Sequence, residues 1–239
     1  MESAPKIKDE EERLSELESY HILDTEEEEI YNSIVKIASY ICETPIALIS
    51  LVDKERQWFK ARVGLDATET DRSLAFCAHA IQQEKIFEVS DSRVDERFQD
   101  NPLVTASPNI VFYAGAPIST SSGHNLGTLC VIDSKPKQLS KEQQDLLTSL
   151  SQQVSQNFEL RRAKKELMKA NQILEDFSYK LSHDLQTPLR HITAYCELIE
   201  NKHSNDFDDE STTWFANVSS GAKRMRQHIK EMLTAAGVK

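Results

Sequence analysis

Phe177-Ser178-Tyr179-Lys180-Leu181-Ser182-His183-Asp184-Leu185-Gln186-Thr187-Pro188-Leu189-Arg190 sets a histidine, an acid, a threonine and a proline inside a segment that otherwise reads as one long amphipathic helix. Around it, Leu174, Phe177, Leu181, Leu185, Leu189, Ile192, Cys196 and Ile199 recur at helical steps of three and four. His183 follows Leu181 by two residues, about 200° round the helix from the apolar stripe, which puts its imidazole in water. A neutral imidazole in water is a good nucleophile near neutral pH. An adjacent carboxylate, here Asp184, can fix its tautomer and compensate its developing charge.

The flanking sequence extends the pattern. Asn201 to Glu210 is a polar, acidic break, and after it Phe215, Val218, Ala222, Met225, Ile229, Met232 and Ala236 again step by three and four. Two such helices joined by a short polar loop predict an antiparallel hairpin. One hairpin cannot bury both stripes, whereas two copies packed as a four-helix bundle can, so a homodimer is expected.

The H-D-x-x-T-P box and this hairpin resemble the dimerisation and phosphoacceptor element of sensor histidine kinases, over roughly residues 170–239. The resemblance implies that His183 accepts a phosphoryl group and that Asp184 orients it as acid or base. Thr187, by the D-x-x-T pattern, would position the water that removes phosphate from a partner aspartate. Pro188 would kink the helix just past the acceptor. It also implies two partners: an ATP-binding kinase domain that delivers the γ-phosphate with Mg, and a response-regulator receiver domain that takes it. Only 39 residues follow Glu200, and none of the six glycines (Gly64, Gly115, Gly123, Gly127, Gly221, Gly237) makes a nucleotide loop after the hairpin. The ATP-binding domain is therefore expected to act in cis from beyond this sequence or in trans. The chain alone should not autophosphorylate, and no cofactor is expected in it.

Composition narrows the classes. The 239 residues carry a formal net charge of −11 and build no basic stripe, which argues against a nucleic-acid partner. No apolar run is long enough to span a membrane, and the acidic Asp9-Glu10-Glu11-Glu12 is no signal peptide. Cys42, Cys77, Cys130 and Cys196 are scattered without a C-x-x-C pair, so neither a disulfide framework nor a metal site is expected. These features together predict a cytoplasmic protein.

Upstream, Ile7 to Tyr20 reads as a helix with Leu14 and Leu17 on one side. Thr25 and Glu28 read as a capping box for a second helix whose buried stripe is Ile30, Ile34, Ile37 and Ile41. Ile46–Val52 reads as a strand buried on both faces and Trp58–Ala61 as a short second strand, with a turn at Gly64. Ser73–Gln83 is predicted helical, with Phe76, Cys77, Ala80 and Ile81 inward. Phe87–Val89 is a short strand, and 112–118 with 126–132 form a hairpin about the polar loop 121–125. An antiparallel meander with helices on one side gives an α+β sandwich.

The phrases PIALISLVD (45–53), RQWFKARVGLD (56–66), AFCAHAI (75–81), DERFQDNPLV (95–104) and FYAGAPI…LGTLCVID (112–133) resemble a GAF domain of the kind found at the N-terminus of bacterial sensor kinases. The expected organisation is a GAF sensor domain over 1–158, a coiled-coil signalling linker over 159–173, and the phosphoacceptor hairpin over 174–239. GAF domains bind different ligands on one fold, so the family leaves the ligand open. Trp58, Phe59, Phe112 and Tyr113 read equally as the lining of a small-molecule pocket or as plain core.

Arg72, Asp91, Arg93, Asp95 and Arg97 read as a network pinning the loop over the sheet. Cys77 and His79 are spaced C-A-H, unlike the adjacent Cys-His of bilin-binding relatives, so no bilin is expected. A likeness of Cys42, Cys77 and Cys130 to the GAF-fold enzyme that reduces free methionine sulfoxide is set aside. Two of the three lie in apolar strand or helix contexts that should raise their thiols and leave them inert.

Ser140 and Gln143 read as a helix cap, and Leu160, Leu167, Leu174 and Leu181 recur every seven residues as a coiled-coil seam, diluted by Lys164 and Asn171. His191 has no acid behind it, and His203 and His228 read as surface positions. Two functions fit these residues. One is a two-component protein in which a GAF sensor is coupled to a phosphoacceptor histidine. The other is a non-enzymatic GAF sensing and dimerisation adaptor with a relic hairpin.

Overall fold

Ile46–Val52 forms β1, buried apart from its first residue, as its unbroken apolar run predicts. The computed structural model describes residues 3–203 and 206–235, and it divides into two compact units, Met1–Ala163 and Lys164–Lys239. In the first unit β1 lies in a six-stranded antiparallel sheet. The other strands are β2 (Arg56–Val63), β3 (Glu69–Asp71), β4 (Phe87–Val89), β5 (Phe112–Ser119) and β6 (Asn125–Asp133), in spatial order β3-β2-β1-β6-β5-β4. The second strand is thus longer than the predicted Trp58–Ala61. The sheet departs from a simple meander because β1 pairs with β6, Ile46 opposite Ile132 and Leu51 opposite Gly127.

Alternation along the strands makes two apolar faces. Ala47, Ile49, Leu51, Phe112, Ala114 and Val131 face helices α1 (Glu10–Ser19), α2 (Glu29–Cys42) and the start of α5 (Lys141–His203), which contribute Leu17, Val35, Ala38, Leu147 and Phe158. Leu48, Val52, Tyr113, Cys130 and Ile132 face the other way, under α3 (Phe76–Ala80), α4 (Pro102–Thr105) and the Phe98 segment. Both faces are therefore covered, and the expectation of helices on one side is corrected. The predicted helix at Ser73–Gln83 is a 3₁₀ turn, Arg72–Leu74, followed by the short α3; Phe76, Cys77, Ala80 and Ile81 are all buried in it or at its end.

Two expectations for α2 fail. Its buried face is Tyr31, Ile34, Val35, Ala38 and Cys42, while Ile30 and Ile37 are exposed. Apolar residues surround most of this helix, so the isoleucine spacing does not decide the face. The small Ala38 and Cys42 do, because they let the helix approach the sheet closely. Thr25 does not cap it. α2 starts at Glu29 without a side-chain cap, and the Thr25 hydroxyl instead donates to Ile22 O and accepts from Lys60 Nζ at 2.8 Å.

Lys60 itself is a product of a strand irregularity. Ile49 pairs with Ala61 but Ser50 with Phe59, so Lys60 is the extra residue of a bulge. Its fully buried ammonium donates to Thr25 Oγ1 and Glu26 O, pairs with Glu28 at 2.8 Å and lies over the Tyr31 ring. In α1, the fully buried Arg13 makes a two-pronged bond to Glu10 at 2.7 and 3.0 Å, and Arg72 reaches the same carboxylate at 2.6 Å. Burial alone raises the Glu10 carboxyl. The hydrogen bonds and charges of Arg13 and Arg72 outweigh it and hold the group at about 2.

That depressed value fixes a pH dependence. Glu10 is ordinarily a group of 4.5, so its contribution is fully present above that pH and is lost as pH falls from about 4.5 toward about 2. Glu10→Gln, which leaves the Arg13 charge buried without its partner, is expected to cost about 3 kcal/mol at pH 7. In urea unfolding the gap to wild type should close on acidification across that window. A gap that stays constant from pH 7 to pH 2.5 refutes the assignment.

Candidate functional site

The second unit is a hairpin of the remainder of α5 and of α6 (Asp209–Ala235). Ser182, Leu189, Thr193 and Cys196 of α5 and Ala222 and Ile229 of α6 are buried, with Leu233 packed against them. These lie at helical steps of three, four and seven, and only part of each predicted stripe is used. Leu174, Phe177, Leu181, Leu185, Ile192 and Ile199 on α5, and Val218, Met225 and Met232 on α6, remain exposed in the single chain, as do Leu160 and Leu167 of the predicted seam. Ala236 of the second stripe, Ser204 and Asn205 of the polar break, and the last residues of the 174–239 span lie outside the described residues.

His183 follows the buried Ser182 and so points away from the hairpin core. Its side chain is 73% exposed, and that of Asp184 is 64% exposed. The Nδ1 atom lies 3.4 Å from Asp184 Oδ1, a long contact because neighbouring residues on a helix diverge by about 100°. One turn on, Thr187 Oγ1 donates to the His183 carbonyl at 3.3 Å. Pro188 sits within α5, helical on both sides, and offers no N–H to the carbonyl of Asp184. The motif thus places an imidazole with one nitrogen toward a carboxylate, a hydroxyl one turn away and open solvent over the other ring edge. Arg190 and His191 are exposed beside it, and His203 contacts Asp206 at 3.0 Å.

In the first unit the four candidate aromatics do not share a lining. Trp58 and Phe112 belong to the core under α1, α2 and α5, while Phe59 and Tyr113 belong to the opposite core, because successive strand residues point to opposite faces. A groove of about 830 Å³ lies elsewhere, among Lys85, Pro117, Ser119 and the outward hydroxyl and amide side chains Thr148, Gln152, Ser155 and Gln156. The only sequence sign of it is the polar run SLSQQVSQ, 149–156, which a helix-face reading assigns to solvent. The polar set is likewise divided: Arg72 serves Glu10, whereas Asp91 pairs with Arg93 at 2.7 Å and Asp95 with Arg97 at 2.6 Å.

The three buried cysteines of the first unit do not behave alike. Burial pushes the Cys42 thiol up to about 11. Cys130 is also raised, first by its hydrogen bond to Cys77 and then by burial. Cys77 goes the other way. Burial acts to raise it, but the polar groups gathered round its sulfur, those of Cys130, Ser50, Thr128 and Tyr113, outweigh that and hold its thiol below the ordinary cysteine range.

Residues 26–158 match the GAF domain family, and residues 173–236 match the His Kinase A (phospho-acceptor) domain. The chain is 45% identical over 137 residues to a cyclic di-GMP phosphodiesterase of Pseudomonas aeruginosa, a match covering 57% of this chain and 23% of that protein. It is 32% identical over 80 residues to a phytochrome-like protein of Synechocystis, covering 34% of this chain and 11% of that one. The chain therefore spans less than a quarter of the length of these relatives. Among solved structures, the GAF domain of a phosphoenolpyruvate-protein phosphotransferase from Coxiella burnetii superposes with a TM-score of 0.50 at 13% identity, over 65% of this chain and 95% of that one, a likeness of fold alone. No helix among the described residues is long and apolar enough to cross a membrane. With more than half its length in the match, the chain belongs to the GAF domain family, and it joins that domain to a His Kinase A phospho-acceptor domain, a pairing that implies two-component signalling.

Proposed function

We propose that this chain couples a signal received by its GAF domain to phosphoryl transfer through His183, from an ATP-binding kinase domain to an aspartate of a response-regulator receiver domain. The observation that carries the reading is the exposed His183 with Asp184 against Nδ1 and Thr187 one turn on. With Nδ1 given to the carboxylate, Nε2 is the nitrogen that attacks the γ-phosphorus. The bond to the leaving ADP oxygen breaks as the N–P bond forms, and Asp184 compensates the charge left on the ring. Positioning and charge compensation dominate such transfers, which suits a site with so few groups. Thr187 then serves the reverse traffic by orienting a water toward the receiver's phosphoaspartate. The ATP and Mg belong to the kinase domain, acting in cis or in trans, and the chain supplies the acceptor.

The exposed apolar residues support a homodimer. Val218, Met225 and Met232 repeat every seven residues on α6, as do Leu174 and Leu181, and Ile192 and Ile199, on α5. A second copy is the natural cover for two such seams, and His Kinase A domains generally dimerise. The full chain is expected to sediment as a dimer at micromolar concentration. Val218→Glu with Met225→Glu should give a monomer that keeps its helix content, whereas Ile229→Glu, inside the hairpin, should cost several kcal/mol of hairpin stability as well. A wild-type monomer refutes the dimer.

The chemistry is tested by supplying the two partners. Mixed with ATP alone, the 239-residue chain should remain unlabelled; with a compatible ATP-binding domain or a phosphorylated receiver it should gain an acid-labile, base-stable phosphate. His183→Gln should abolish that label and His191→Gln should leave it. Asp184→Asn should slow labelling by about 10² or more, with dimerisation unchanged. Thr187→Ala should spare labelling and reduce dephosphorylation of the receiver. If Thr187→Ala blocks labelling as severely as Asp184→Asn, the division of roles is wrong, and a label that survives His183→Gln removes the proposal altogether.

A further inference from the structure

Cys77 on α3 and Cys130 in the middle of β6 bring their sulfurs to 3.8 Å, although 52 residues separate them in the chain. Neither touches solvent appreciably, and neither takes part in the chemistry proposed for His183. Hydroxyl donors converge on the Cys77 sulfur: Thr128 Oγ1 donates at 3.1 Å and Tyr113 Oη at 3.2 Å. The Tyr113 phenol reaches it by lying across Gly115, where a Cβ would collide with the ring hydroxyl. Ser50 Oγ, buried and without a formed hydrogen bond, stands close to the same sulfur. A hydrocarbon core gains nothing from hydroxyls gathered on a thiol. What such donors stabilise is a thiolate, the nucleophilic form of cysteine. Cys42, equally buried but without this ring of donors, shows the opposite behaviour.

We propose that Cys77 and Cys130 form a peroxide-oxidised dithiol, with Cys77 the attacking sulfur and Cys130 the resolving one. Cys77 thiolate attacks one oxygen of hydrogen peroxide and the O–O bond breaks. The departing hydroxide takes up the proton that Cys77 gave up, leaving a sulfenic acid and one water. The Cys130 sulfur then attacks the sulfenic sulfur, the S–O bond breaks, and hydroxide leaves with the Cys130 proton as a second water. Two thiols lose two electrons and one peroxide becomes two waters. Closing the bond brings the sulfurs from 3.8 Å to about 2.05 Å, a shift within reach of a side-chain rotation and a small movement of α3. That helix is five residues long and has no capping side chain, so its local opening is the route by which hydrogen peroxide reaches Cys77. Once formed, the disulfide ties α3 to the centre of the sheet.

The experiment uses the full chain, freed of reductant and exposed to hydrogen peroxide, with peptides mapped by mass spectrometry without reduction. The expected product is a Cys77–Cys130 crosslinked peptide lighter by about 2 Da, with Cys42 and Cys196 still reduced. Cys130→Ser should stop at a Cys77 sulfenic acid that a dimedone probe captures, and Cys77→Ser should give neither product. Tyr113→Phe, which removes one donor, should slow the oxidation about five-fold. Cys77 and Cys130 remaining reduced under peroxide, or a Cys77→Ser chain that consumes peroxide at the wild-type rate, overturns the proposal. The wild-type peptide map decides this even if a cysteine variant does not fold.

Discussion

The first unit depends on the ladder between β1 and β6. Every other strand pairing joins neighbours in sequence or short hairpins, whereas β1 and β6 are brought together from opposite ends of the domain. Until that ladder forms, the strands β2 and β3 on one side and β5 and β4 on the other belong to separate pieces with half a core each. The entropy of closing so long a loop is repaid only when both apolar faces are buried at once. Gly127 is part of the closure, because a Cβ there would run into the Ser50 carbonyl of β1. The helices then cover a surface that the ladder has made continuous.

Elements whose signal is local were legible in the sequence. The apolar run Ile46–Val52, the hairpin around 121–125, the short strand Phe87–Val89 and the two helices of the second unit all stand where their patterns place them. The α2 face was not legible, since apolar residues surround the helix and the deciding factor, the closeness permitted by Ala38 and Cys42, belongs to the packed state. Thr25 departs from its local pattern for a related reason. Its local pattern is that of a cap, but a buried ammonium from a strand bulge 35 residues away competes for its oxygen and takes it. The His183 environment was readable because a helix fixes its neighbours by spacing alone, while the aromatic quartet divided between two faces once strand alternation placed its members.

Polar groups buried between the sheet and its helices account for most of what spacing did not reveal. Lys60, Arg13 and the Cys77 sulfur each find their partners across long stretches of chain, from Glu28 to Leu126 to Thr128. Each is costly to bury alone and is kept only because several partners converge on it. Such groups specify one arrangement of the elements around them, since a shifted helix or a slipped strand would leave a charge or a donor unmatched. The same demand for satisfaction gives the hydroxyls around Cys77 their chemical meaning.

Pro188 has a mechanical consequence for α5. Elsewhere along a helix, bending opens an N–H to carbonyl bond and forfeits on the order of 1 kcal/mol in water. At the Asp184 carbonyl no such bond exists to open, because the residue four positions on has no amide hydrogen. That oxygen is left to solvent in the straight and the bent helix alike. The helix is therefore softest one turn past the histidine, at a point where curvature changes hydration and not the hydrogen-bond ladder. Any protein surface docking at His183 would meet a helix that yields in one direction while its secondary structure stays intact.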